Sequence, residues 1–284
     1  MAGDLLAGLG LSEEDVYIPD NEKFSKALKR ITHLAIGAHQ DDIELMAASG
    51  IAACYRHEQS WFGGITLTDG AGSQRGGIYT SYSETEMCSI RRKEQKTAAM
   101  VGEYSAHIFM NFTSQELKAS GQDDIVTKLI KIISYVKPEV IYCHSFLDHH
   151  LTHAAASVKV MEAVRRLPED LRPNQVYGCE VWGSLEWLPE KYRVALPVDK
   201  NLNIIASLNQ LYDSQLSFGK DFYQAANGRR IANAVFDMNG DKEQLTYAMD
   251  LSGLISEERS LSNCLEGIYR SAYSRDIDNL QKIL

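Results

Sequence analysis

Short apolar runs alternating with longer amphipathic stretches constrain this chain more than any other feature. THLAIGA (Thr32 to Ala38) reads as a buried strand. Asp42 to His57 then places Ile43, Met46, Ala47, Ile51 and Cys54 at helical spacing. WFGGITLT (Trp61 to Thr68) is a second strand, a Gly/Ser-rich loop runs from Asp69 to Tyr82, and Glu86 to Gly102 repeats the helical pattern. AHIFMNF, a helix from Asp123 to Val136 stopped by Pro138, EVIYCH (Glu139 to His144) and a helix from Thr152 to Arg166 continue the series. QVYGCEVWGS and RVALPV add strands, and from about Asn201 the chain reads as mainly helical with an acidic-polar tail. Such alternation predicts an α/β fold: a doubly wound, mostly parallel sheet with helices on both faces and a helical C-terminal elaboration. We expect one domain over residues 1–284, with a core of about 31–200 and a helical part of about 201–284.

Doubly wound sheets bind ligands beyond the carboxyl ends of their strands. Two clusters fall there. AHQDD follows the first strand, and its His39 and Asp42, three residues apart at a helix start, can face one point while Asp41 is left free. The structural alternative is that Asp42 merely caps the helix. After the fourth strand, residues 144–153 hold four of the eight histidines, His144, His149, His150 and His153, together with Asp148. Imidazoles with a carboxylate and an open position make the ligand set of a catalytic zinc. Two such clusters on one sheet edge are hard to explain as turns.

Charge and cysteines narrow the class. The net charge of -9, from 38 acidic against 29 basic residues, has no basic block set against it, so nucleic acid is not an expected partner. No stretch approaches the roughly 18 apolar residues of a membrane span, and the N-terminal residues lack a signal-peptide pattern. Five scattered cysteines without a C-x-x-C pair point to free thiols in a reducing, cytoplasmic setting. A homo-oligomer is compatible with all of this. The first strand-helix turn carries AHQDD rather than G-x-G-x-x-G, which argues against a dinucleotide enzyme.

The ordered set AHQDD, TLTDG (Thr66 to Gly70), IRRKEQKTAAMVG (Ile90 to Gly102) and DHHLTHAAASVKV resembles the PIG-L/LmbE-like zinc-dependent N-deacetylase family across about Thr32 to Arg166. The resemblance implies a Rossmann-like fold and a zinc-dependent hydrolase, one ion per chain with other divalent metals open. It implies removal of the acetyl group from an N-acetylglucosamine-type amino sugar or its glycoconjugate. Carried over by position, His39, Asp42 and His153 resemble the metal ligands, Asp41 the general base and His150 the catalytic histidine. A second register, pairing Asp148-His149 with the family's D-H, leaves Phe146 where a histidine belongs. Departures are Gln40 for the usual proline and Leu151-Thr152 for Pro-Asp.

Further residues have two readings each. Arg91 resembles a substrate-binding arginine, or else bridges to Glu94 along its helix. Asp148 either orients the His150 imidazole from behind or caps a helix. The loop Asp69 to Tyr82 is expected to border the pocket, Trp187 to be core or a sugar platform, and Asn227-Gly228-Arg229-Arg230 to interrupt a helix with solvated charges. Two other functions stay open: an amidase of the same scaffold on a non-sugar or non-acetyl amide, and a catalytically silent metal- or sugar-binding module.

Overall fold

The computed structural model describes residues 2–121, 123–219, 221–237 and 242–284. Its strands are β1 (Val16–Tyr17), β2 (His33–Gly37), β3 (Phe62–Thr68), β4 (Ala106–Phe112), β5 (Val140–His144), β6 (Gln175–Cys179), β7 (Arg193–Pro197) and β8 (Leu245–Asp250). The helices are α1 (Ala2–Leu9), α2 (Phe24–Lys29), α3 (Asp42–Met46), α4 (Ala48–Cys54), α5 (Glu84–Val101) and α6 (Ser114–Lys118). They continue with α7 (Asp123–Val136), α8 (Leu151–Arg165), α9 (Leu202–Leu208), α10 (Asp213–Leu216), α11 (Phe222–Phe236) and α12 (Leu261–Gln281). Among the described residues, no helix is long and apolar enough to cross a membrane.

All eight strands form one sheet in the order β1-β4-β3-β2-β5-β6-β8-β7. The five central strands are parallel, with β2 between β3 and β5. Being covered on both faces, they read as unbroken apolar runs, and every residue of β3 is buried. Side chains alternate across the sheet. Leu34 and Ile36 enter one core with Ile141 and Cys143, beneath α1, α2, α7 and α8. Ala35 enters the other with Val140 and Tyr142, beneath α3, α4, α5 and α9. On α7 the residues Ile125, Val126, Leu129, Ile132, Ile133 and Val136 are buried, a stripe at helical period. Serine and glutamate box the start of α5, where Ser83 Oγ accepts from the Glu86 amide and Glu86 returns the bond to the Ser83 amide.

The sheet departs from the expected pattern at its edges. β1 joins β4 antiparallel, and β8 inserts antiparallel between β6 and β7. β8 lies in the region expected to be helical. Its six residues form a strand because two partner edges, β6 and β7, take up its backbone groups. The expected helix from Asp42 to His57 is two helices, since Ala47 leaves helical geometry at φ -106, ψ 24. Asn227 to Arg230 interrupts nothing: α11 runs through it, and Arg230 is buried because its guanidinium donates to the carbonyl of Leu45 at 3.1 Å, in the last turn of α3.

β2 changes direction of travel for the sheet. From it the chain moves outward through β3 and β4, then returns to pair β5 on the opposite side of β2. That switch point opens a crevice at the carboxyl ends of β2 and β5. The seat of α4 on the sheet depends on Gly50, where an added Cβ would lie 2.6 Å from Tyr142 Cε2 of β5. Gly50→Ala is therefore expected to lower stability by about 1–3 kcal/mol, read as a lower denaturant midpoint at unchanged m-value.

Candidate functional site

β2 ends at Gly37, and the next four residues turn into α3. The turn is tied down on one side by Thr68, whose amide and hydroxyl both donate to the Ala38 carbonyl at 2.9 and 2.8 Å. Gln40, where the resembling family has proline, donates from Nε2 to the Thr68 carbonyl at 3.1 Å. Gly70 of the TDG stretch, at φ +81, leaves space that a Cβ would lose, 2.6 Å from Gln40 Oε1. Asp41 sits at φ +99, a left-handed conformation costly for a non-glycine residue and held by the surrounding bonds.

This strained turn sends two adjacent carboxylates to different partners. Asp42 is ringed by imidazoles. Its Oδ2 accepts from the His39 amide at 2.7 Å and lies 3.2 Å from both His39 Nδ1 and His144 Nε2. Its Oδ1 lies 3.2 Å from His153 Nε2. Asp41 instead pairs with Arg91, its Oδ1 3.2 Å from Nη2 of a guanidinium that also donates to the Gln40 carbonyl. The helix α5 supplies Arg91, and Glu94 one turn on is 3.7 Å from its Nη1. Asp41, Asp42 and Arg91 line the same cavity of about 540 Å³, with His150, Trp182, Ser73 and Lys118 on other walls.

Charge follows this geometry. Burial works against the Asp42 carboxylate, yet His153, His144 and His39 hold it well below the usual range. Burial raises Asp41, with Arg91 resisting. On His153 burial opposes the charge, but Asp42 and Asp148 override it and push the imidazole up to about 10. Burial, His153 and His39 push His150 down to about 4.

The donor set fits a divalent cation. Among the described residues two groups have ligand atoms within 4.8 Å of one another: His39, His150 and His153, and Asp42, His144 and His153. His153 Nε2 is buried without a hydrogen-bond partner although a carboxylate oxygen lies at 3.2 Å. Ligand atoms bound at about 2.0–2.2 Å in a tetrahedral arrangement stand about 3.3–3.6 Å apart, so the partnerless His153 nitrogen and the Asp42 oxygen 3.2 Å away are spaced for one ion.

The structure brings His39, Asp41, Asp42, His150 and His153 to one end of the cavity. Asp148 stands behind a different histidine from the one expected. Its Oδ1 is 3.3 Å from His153 Nδ1 and accepts only the backbone amide of His150, at 2.8 Å, while Oδ2 accepts from the Trp182 amide at 3.0 Å. The loop after β5 folds over the first turn of α8, which puts Asp148 beside His153. Arg91 bridges to Glu94 as its structural alternative held, but its shorter ion pair is to Asp41. The loop after β3 borders the cavity through Gly70, Gly72, Ser73 and Gln74. Trp182 lines the wall, whereas Trp187 stacks on Tyr269 at 6.1 Å between centroids.

Sequence reasoning gave no role to His144 or to the polar group under Asp41. There Gln95 accepts from the Asp41 amide at 3.3 Å and donates to Glu44 Oε1 at 2.9 Å, which Tyr104 Oη also bonds at 2.7 Å. A readable signal existed for His144: strand alternation puts it on the face of Tyr142, toward α3.

Residues 34–164 match the family model described as PIG-L: GlcNAc-PI de-N-acetylase. Three solved structures share its fold. The N,N'-diacetylchitobiose deacetylase from Pyrococcus horikoshii is 15% identical at a TM-score of 0.61, over 87% of this chain and 93% of that one. The 4-carboxy-2-hydroxymuconate hydratase GalB from Pseudomonas putida KT2440 is 19% identical at 0.60, over 78% and 95%. The A40926 pseudoaglycone deacetylase Dbv21 is 17% identical at 0.57, over 78% and 97%. At such identities the likeness establishes the architecture, and a hydratase among the three shows that architecture alone does not choose the reaction.

The buried acid behind the turn between β2 and α3 sets a pH dependence. Burial raises Glu44 from 4.5 to about 7, despite bonds from Tyr104 and Gln95. Between those values the folded protein keeps a proton that the unfolded chain has released, so this contribution to stability is complete below 4.5 and lost as pH rises through about 7. Glu44→Gln is expected to flatten the loss of stability between pH 5 and 8, by up to about 3 kcal/mol at the alkaline end, in denaturation curves taken across that range.

Proposed function

We propose that this protein is a metal-dependent hydrolase that removes the N-acetyl group from an N-acetylglucosamine-type amino sugar or its conjugate. The observation that carries the reading is the division of labour in one turn: Asp42 set among histidines, Asp41 held apart on Arg91, both on one cavity. The match to a GlcNAc-PI de-N-acetylase model supports the acetylated amino sugar, as do structural neighbours named as deacetylases of a chitobiose and of a glycopeptide pseudoaglycone.

His39, Asp42 and His153 would hold the ion, one per chain, zinc being the leading candidate. When bound, such an ion polarises a scissile carbonyl and acidifies water. Asp41 takes the proton of the attacking water. Burial makes it a stronger base than an ordinary carboxylate, while Arg91 keeps it ionised until the proton arrives. His150, held neutral, donates an N–H to the oxygen of the tetrahedral adduct. As the carbon–nitrogen bond breaks, Asp41 passes its proton to the departing amine, which leaves acetate and a free amino sugar. Asp148 keeps the His153 ring in place from behind. Arg91 serves first as the partner of Asp41, with Glu94 beside its Nη1, and from its place on the cavity wall it would also meet the substrate.

The whole chain would act as one domain, since its sheet draws strands from Val16 to Asp250. Five unpaired cysteines and an acidic surface suit a cytoplasmic setting. Addition of water to an unsaturated acid is a second reading, favoured by the likeness to GalB. It needs the same water-activating pair but releases no amine.

Purified protein is expected to contain about one divalent ion per chain and to release primary amine from N-acetylated amino sugars, an activity lost on chelation and restored by zinc. Asp41→Asn should retain the ion and lose about 10²–10⁴ in turnover, whereas His153→Ala loses both. Chelation without effect, or an Asp41→Asn enzyme at wild-type rate, overturns the mechanism.

A further inference from the structure

His144 ends β5 and is fully buried, in a position that no part of the proposed chemistry uses. Its Nε2 accepts a hydrogen bond from the Ala38 amide at 3.0 Å. The same nitrogen lies 3.2 Å from Asp42 Oδ2. These two contacts decide its role. A nitrogen that accepts an N–H carries no proton to give to Asp42, and its single in-plane lone pair is already used, so none is left for a metal. Asp42 Oδ2 is satisfied from elsewhere, by the His39 amide at 2.7 Å. Meanwhile the His144 ring lies flat on the His153 ring, 4.0 Å between centroids at 17°. The tautomer this requires leaves a proton on Nδ1, which has no partner among the described residues, a state that buried imidazoles otherwise avoid.

We propose that His144 is a positioning residue that registers the two halves of the donor set against each other. One edge of its ring fixes the backbone at Ala38, one residue before His39, and its face fixes the plane of His153. Ligands carried by β2 and by the segment after β5 thereby keep one spacing. The inference rests on the reading of His39, Asp42 and His153 as a metal site.

Zinc affinity, measured by competition with a chromophoric chelator, tests it without recourse to catalysis. His144→Phe keeps an aromatic face and loses the acceptor, and its affinity is expected to fall 10–100-fold. His144→Gln places an acceptor oxygen near the position of Nε2 and should recover affinity to within about threefold, with a cobalt-substituted absorption spectrum like that of the wild type. Wild-type affinity in His144→Phe overturns the proposal. So does a His144→Gln variant that binds as weakly as Phe with a changed cobalt spectrum, because His144 would then be a ligand. Should the Phe variant not fold, ¹⁵N-labelled wild-type protein loaded with zinc decides: scalar coupling across the Nε2···H–N bond to Ala38 supports the assignment, and its absence overturns it. Wild-type protein that binds no zinc at all overturns the metal reading itself, an outcome distinct from a change confined to the variants.

Discussion

A buried carboxylate surrounded by imidazoles organises this molecule. Asp42 is almost wholly removed from water, which by itself would drive it to its neutral acid. His153, 3.2 Å from Oδ1, and His39, whose amide and ring both reach Oδ2, reverse that outcome and keep it an anion. Leaving such a charge buried with only neutral neighbours is costly, and among the described residues no arginine or lysine forms an ion pair with Asp42. Either a proton on His153 or a divalent cation must complete the cluster. The elevated affinity of His153 for a proton and its suitability as a ligand are thus the same electrostatic fact seen twice, and metal binding has to release that proton.

The sheet is the means by which the cluster is assembled. His39 and Asp42 follow β2, His144 closes β5, and His150 and His153 open α8 directly after it. β2 and β5 are adjacent parallel strands, so residues about 110 positions apart leave the sheet side by side. The same turn separates Asp41 from Asp42 by placing one residue in a left-handed conformation. Adjacent residues usually compete for one environment; here backbone strain gives one to the histidines and the other to Arg91. In the proposed reaction such a pair would let one carboxylate hold a metal ion while its neighbour takes a proton.

Much of this was legible in the chain. Parallel strands covered on both faces need unbroken apolar runs, and helices that cover them need an apolar stripe, so β2 to β6 and α5, α7 and α8 stand out. The rule that ligands bind at strand carboxyl ends then picks AHQDD and the histidines after β5. What escaped depended on distant partners. β8 is a strand because β6 and β7 flank it, and nothing local in LTYAMD announces that. Arg230 is buried because the end of α3 offers it carbonyls. Asp148 faces His153 rather than the His150 ring because of how a loop folds, not because of spacing. His144 is the instructive case: it belongs to the histidine cluster, and the strand period of two puts it on the Tyr142 face, toward α3.

Anomalous diffraction at the zinc edge, from crystals of the protein grown with zinc, tests the central claim most directly. The account predicts one strong peak bound by His39, Asp42 and His153, with His144 bonded to the Ala38 amide and Asp41 outside the first coordination sphere. A peak on Cys54 or another thiol, a peak coordinated by Asp41, or an empty cluster with His153 paired to Asp42 through a proton alone would contradict it.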